Sequence, residues 1–273
     1  MTTATDPITS RYVEVDGHRM FMDTAGDPSG QPLICVHTAG KHALQWRFVL
    51  PYYAARGYFV VAPDLPGHGK SLLRDYRPIH SIHEYGELVW KLCAKLGMRR
   101  PVVMGCSIGG AITLDILAHH YADIRAAVPC EAAAHTPTYP LAALERGLED
   151  SGIPSFADSG YLGGLSASGS LALPERVAEI AWTRRIGDPK IHYNDLRAWV
   201  THDVRKLLPS VKCPVAVVWG NEDYFLPFHL VKETVDLIPG ARLLEFDGIG
   251  HYPHVESPDF NMRVENFLKE TSK

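Results

Sequence analysis

Two hydrophobic periods alternate along this 273-residue chain. Near the N-terminus, residues 11–15 and 18–23 place apolar beside polar side chains around Asp16-Gly17, the pattern of a hairpin with a tight turn. Residues 32–36 and 58–62 are continuous apolar runs, as strands covered on both faces require. Residues 42–55 between them predict a helix. Residues 81–96 set Ile82, Tyr85, Leu88, Val89, Leu92 and Leu96 at helical spacing, and Gly97 supplies a stop. Strands follow at 102–106 and 124–129, with an amphipathic helix between them. This alternation predicts an α/β fold with a parallel, doubly wound sheet and right-handed crossovers.

The rhythm stops near residue 132 and returns near residue 204. The intervening segment carries helical patterns over 141–149, 173–185 and 193–200, and a Gly/Ser-rich run over 158–170 that predicts an irregular, mobile stretch. A strand over 214–219, a helix over 230–237, a strand over 241–246 and a helix over 258–268 follow. The expected organisation is one core made of residues 1–131 and 204–273, with residues 132–203 inserted as a mostly helical cap.

Gly105-Cys106-Ser107-Ile108-Gly109 sits where an apolar strand meets a helix. A serine at the tip of such a turn occupies a strained backbone position, and small residues two before and two after let strand and helix crowd together. The helix also points its free N–H groups at the place where an oxyanion would form. Ser107 is therefore the candidate nucleophile. A serine hydroxyl needs a base that is itself oriented by an acid. His251, in Gly250-His251-Tyr252 after the last strand, is the candidate base, and Asp223, beyond the strand over 214–219, is a candidate acid.

Composition changes this picture little. Apolar residues make up 46% and charged residues 21%, and 27 basic against 31 acidic residues give a net charge of −4 with no basic stripe. Nucleic acid and anionic membranes are thereby disfavoured as partners. Five scattered cysteines do not form a disulfide framework. The first ten residues lack a signal-peptide pattern and no apolar run reaches membrane-span length, so a cytoplasmic protein, monomer or homodimer, is expected. Fourteen histidines invite a metal reading, but His80, His83, His119 and His120 lack an H-E-x-x-H pattern or a carboxylate at ligand spacing, so no metal and no cofactor is expected.

Taken together, the His37 loop, residues 64–71, Gly105 to Gly109, Gly220 to Pro227 and Gly250-His251 resemble the α/β-hydrolase superfamily over nearly the whole chain. The resemblance implies a mostly parallel eight-stranded sheet and a serine, acid, histidine triad. Glu131, after the strand over 124–129, lies in a context similar to the zearalenone lactonase subgroup, which takes its acid there. The intact Asp223 loop departs from that subgroup, so Asp223 is the preferred acid and Glu131 the alternative; the other reading of Glu131 is an ion pair with Arg125. An oxyanion hole would use the amides of Ile108 and Ala39. Thr38 stands where relatives have glycine, and His37 reads as structural.

Tyr139, Tyr161, Trp182, Tyr193 and Trp199 supply aromatic area in the cap, and Tyr224 and Phe225 flank Asp223. Thr38, Tyr161, Trp182, Trp199 and Tyr224 are the candidate substrate-binding residues for an apolar or aromatic ester or lactone. Arg184-Arg185 reads first as solvated surface, with a substrate carboxylate as the alternative. A zearalenone-type macrolactone is the sharpest substrate expectation. Carbon–carbon bond hydrolysis of vinylogous diketones, perhydrolase activity and a ligand receptor built on the same fold are the rival functions. Cys106 departs from the asparagine that carbon–carbon hydrolases place before the nucleophile.

Overall fold

The computed structural model describes residues 7–142, 145–146 and 156–271. Among them eight strands form one sheet: β1 (Thr9–Val15), β2 (His18–Ala25), β3 (Gln31–Val36), β4 (Tyr58–Pro63), β5 (Val102–Cys106), β6 (Ala126–Cys130), β7 (Ala216–Gly220) and β8 (Arg242–Phe246). Their spatial order is β1-β2-β4-β3-β5-β6-β7-β8. β1 and β2 form the expected hairpin, β2 pairs antiparallel with β4, and every other pairing is parallel. The predicted α/β sheet is thus present.

Strand period sorts the core into two layers. Ile34, Val36, Val61, Val103 and Val217 face one side, where α2 (Ile82–Lys95) and α3 (Ile108–His120) cover them. Leu33, Cys35, Val60, Met104 and Val218 face the other, under Trp46, α1 (Leu50–Ala54) and residues that include Phe260 and Phe267 of the C-terminal helix. Ser81 caps α2 by accepting the Glu84 amide at 3.1 Å, and Gly97 takes the left-handed conformation after it. α3 is not the amphipathic helix expected: residues 108–118 are all buried. The sheet and α2 cover part of it, and the insertion covers more.

The insertion between β6 and β7 carries α4 (Phe156–Ser166), α5 (Pro174–Arg185) and α6 (Pro189–Trp199), and α7 (Phe228–Leu237), α8 (Pro253–Glu256) and α9 (Phe260–Glu270) follow. Bridge pairing between His135 and Asp203 draws the two ends of the insertion together. The Gly/Ser-rich run is largely helix, in place of the irregular stretch expected. Its glycines serve packing: a Cβ at Gly164 would lie 2.5 Å from Ala181 Cα on α5. α6 starts earlier than its apolar pattern suggested, because Asp188 accepts the amides of Lys190 and Ile191 at 2.8 and 3.2 Å. Of the helix expected over 141–149, residues 143–144 and 147–149 lie outside the described residues.

The helix expected over 42–55 is instead a 3-10 turn at Ala43–Trp46 followed by α1. Asp64 captures the Ala43 amide at 2.6 Å, and Pro51, which lacks an amide proton, fits only the first turn of a helix. No helix among the described residues is long and apolar enough to cross a membrane. The five cysteines are free thiols.

Candidate active site

β5 delivers Ser107 into a backbone conformation of φ 57° and ψ −117°, which an L residue adopts only under constraint. Gly105 and Gly109 make the turn feasible. A Cβ on Gly105 would meet Gly109 O at 2.1 Å, and one on Gly109 would meet Val36 O at 2.1 Å. The Ser107 amide is anchored on Cys130 O at 2.9 Å. α3 begins at Ile108, whose amide has no carbonyl four residues back within the helix.

His251 lies against this turn, since Cys106 Sγ donates to its backbone carbonyl at 3.3 Å. Its Nδ1 is 2.7 Å from Asp223 Oδ2, in a pair that is almost wholly buried. Nε2 is therefore the ring nitrogen left for the Ser107 side. No hydrogen bond joins the Ser107 hydroxyl to it among the described residues; in unliganded sites such bonds often close only on substrate. Asp223 Oδ1 accepts the Phe225 amide at 2.8 Å. Burial opposes charge on Asp223, yet His251, Glu131 and that amide together hold its carboxyl below the usual range.

Glu131 joins this group and does not pair with Arg125, whose guanidinium donates to Gln31. Its Oε1 accepts the Gly220 amide at 2.6 Å, while Oε2 is buried with no donor among the described residues. Burial, and next the adjoining Asp223 charge, pushes its carboxyl well above the ordinary range. A protonated Glu131 resolves both facts by hydrogen-bonding Asp223, because two buried carboxylates in contact do not both ionise.

The loop at residues 37–41 runs beside the turn. His37 Nε2 accepts the Leu65 amide at 2.9 Å and Nδ1 meets Thr38 O at 2.8 Å, the structural use expected. Three of the loop's amides are occupied: Thr38 N by Gln45 Oε1, Gly40 N by Asp195 Oδ2 and Lys41 N by Thr38 O. Ala39 N has no partner among the described residues. Asp195, fully buried on α6, also accepts from His68 Nε2 at 2.7 Å and Tyr85 OH at 2.8 Å. His192, one helical turn before it, bonds the Ala39 backbone, and burial lowers its pKa to about 4.

Two supports of the site escape sequence reading. Asp195 is one; a lone acid in a helix gives no signal of its long-range partners. Glu256 is the other. This buried carboxylate on α8 accepts the amides of Gly250 and Tyr252, on either side of His251, and that of Gly169 from the insertion, each at 2.8 Å.

The expected substrate-binding residues divide. Thr38 is buried, with its amide on Gln45 and its hydroxyl beside the same side chain, so it offers a ligand nothing. Trp199 packs on the core and on Tyr139. Trp182 is 59% exposed with Arg185 over its ring, and Tyr161 meets it edge-on. Tyr224 is exposed too, stacked on Phe225, and Phe225 in turn packs on His251 at 4.9 Å between ring centres. Arg185 is exposed and pairs with Asp158, whereas Arg184 turns inward, against the surface reading.

A carboxylate does accompany two of the histidines set aside for metal binding. Asp115 Oδ1 lies 2.9 Å from His83 Nδ1 and 3.5 Å from His119 Nδ1. Asp115 precedes His119 by one helical turn, a spacing passed over in the sequence. Hydrogen bonding accounts for this surface group.

A strained serine after a parallel strand, with a buried His-Asp pair beside it, on this sheet order, defines an α/β-hydrolase site. The sequence profile described as "Alpha/beta hydrolase family" matches residues 33–260, and the chain belongs to that family. Its relatives include the magnesium-chelatase 30 kDa subunit of Rhodobacter capsulatus, 29% identical over 86% of this chain and 85% of that one. Lipase 1 of Psychrobacter immobilis is 27% identical over 89% of this chain and 78% of that one. Among solved structures, the enol-lactonase from Burkholderia xenovorans LB400 superposes with a TM-score of 0.82 at 22% identity, covering 95% of this chain and 100% of the other. At that identity the likeness is one of fold.

Proposed function

We propose that this hydrolase cleaves a carboxylic ester or lactone of a small molecule through an acyl-enzyme on Ser107. The observation that carries the reading is the buried His251–Asp223 pair beside the strained Ser107 turn. His251 Nε2 takes the Ser107 proton as Oγ attacks the carbonyl carbon. The resulting oxyanion is received by the Ala39 and Ile108 amides. His251 then protonates the leaving alkoxide, and water, activated by the same imidazole, releases the acid. Asp223 fixes the tautomer and stabilises the imidazolium. The lipase relative supports ester chemistry. Glu131 stands behind Asp223, so its resemblance to the macrolactonase acid lends that substrate no support.

Turnover of p-nitrophenyl acetate and butyrate, an aromatic lactone and a resorcylic macrolactone tests the reading. Wild type should hydrolyse at least one and Ser107→Ala none. Unchanged turnover by Ser107→Ala would remove the assignment.

A further inference from the structure

A buried lysine and a half-buried arginine line one small cavity between the loop at residues 37–41 and the insertion, and among the described residues neither is paired with a carboxylate. Lys41, two residues past Ala39, is 3% exposed, with Nζ 2.8 Å from Thr183 Oγ1 and 3.3 Å from Ile180 O. Arg184, on α5, donates from Nη1 to Tyr252 OH at 3.0 Å, and its guanidinium lies 5.6 Å from the centre of the Phe225 ring, the ring that packs on His251. Glu179, which lines a neighbouring pocket together with Lys41, is committed to Arg47.

The cavity has a volume of about 30 Å³ and is lined by Ala39, Lys41, Arg184, His192 and three glycines. That is room for a group of about two or three heavy atoms, such as a carboxylate, and not for a ring. Buried positive charge without a counter-charge is unfavourable, and the electrostatics show it: burial, then Arg184, holds the Lys41 ammonium well below its ordinary pKa. His192 is neutral and its ring is occupied by the Ala39 backbone, so it adds no charge of its own. An anion in the cavity would give Lys41 the counter-charge it lacks, and a guanidinium receives a planar carboxylate through two parallel bonds.

We propose that this cavity is an anion subsite, and that the substrate is an ester or lactone whose acyl part carries a carboxylate. Arg184 and Lys41 receive the carboxylate while the scissile carbonyl reaches the Ala39 amide at the cavity edge. This rests on the serine-hydrolase reading above.

The test compares kcat/KM for anionic mono-p-nitrophenyl glutarate with that for its neutral isostere p-nitrophenyl valerate, in wild type and Arg184→Gln. Calorimetry follows free glutarate binding to both proteins. Wild type should favour the anionic ester by about tenfold or more, and Arg184→Gln should erase that ratio through KM and weaken glutarate binding by a similar factor. Lys41→Met should reduce the same ratio, which keeps the test open where Arg184→Gln does not fold. A wild-type preference for valerate, with no glutarate binding, overturns the subsite and leaves the hydrolase reading intact. Glutarate binding that depends on Arg184, with neither ester turned over, upholds the subsite and removes the hydrolase reading instead.

Discussion

Asp195 Oδ2 accepts the amide of Gly40 at 2.9 Å, so a carboxylate from the insertion holds the loop that presents the Ala39 amide. His192 grips the Ala39 backbone from the same face of α6. Asp195→Ala is expected to lower kcat by about tenfold or more while KM moves less than threefold, because a misplaced amide weakens stabilisation of the transition state selectively. Asp195→Asn keeps an acceptor oxygen for Gly40 and should recover most of the loss. Equal changes in kcat and KM, or no rescue, would reduce Asp195 to a packing role.

Asp223 and Glu131 should respond oppositely to amide substitution. Asp223→Asn removes the acceptor that fixes the His251 tautomer, and kcat should fall by about 10³–10⁴. Burial and Asp223 push the Glu131 carboxyl well above its ordinary range, toward the protonated form, and Glu131→Gln keeps a donor toward Asp223 and an oxygen for the Gly220 amide. Its rate at pH 7 should stay within about threefold of wild type. Steady-state kinetics on one ester decides this, and the reverse pattern transfers the acid role to Glu131.

Glu256 ties the insertion to the His251 loop through three backbone amides. Glu256→Ala leaves all three buried donors unpaired, with an expected stability loss of at least about 3 kcal/mol. Thermal unfolding should register this as a Tm lower by roughly 10 °C. A shift under about 2 °C would mean that water replaces the carboxylate without penalty.

His254 stacks on Trp46 with ring centres 4.1 Å apart, and neither of its nitrogens has a hydrogen-bond partner among the described residues. Burial holds its pKa down to about 3, against 6.5 when unfolded, and that of His202 to about 4. The unfolded chain therefore binds protons first as pH falls below 6.5. Stability is complete above that value and declines toward pH 3, by on the order of 2 kcal/mol per histidine at pH 4.5. His254→Phe keeps the stacking and removes the titration, so its Tm should drop less than that of wild type between pH 7 and 4.5. Identical drops would assign acid sensitivity elsewhere.

The sheet was legible because its strands are written as contiguous apolar runs, and the candidates for nucleophile, acid and base rest on equally local signals: Gly105 to Gly109 for the turn, and strand ends for Asp223 and His251. What periodicity could not deliver depended on partners distant in sequence. α4 reads as a glycine-rich loop until Ala181 is placed against it. Residues 42–55 read as one helix until Asp64 takes the Ala43 amide. Arg184 and Arg185 are adjacent and identical in type, yet helical rotation sends one to Tyr252 and the other to solvent. The aromatics of the insertion diverge for the same reason, Trp199 packing on the core while Trp182 is exposed, since side-chain area says nothing about direction.

The close approach of α4 to α5 has a consequence for how this enzyme could diverge. Gly160 and Gly164 abut the backbone of Arg184 and Ala181, one helical turn apart. A single methyl at either position would wedge the two helices apart and carry the guanidinium with them. Selectivity is thereby adjustable from a distance, by the thickness of a glycine, while Ser107, His251 and Asp223 stay untouched.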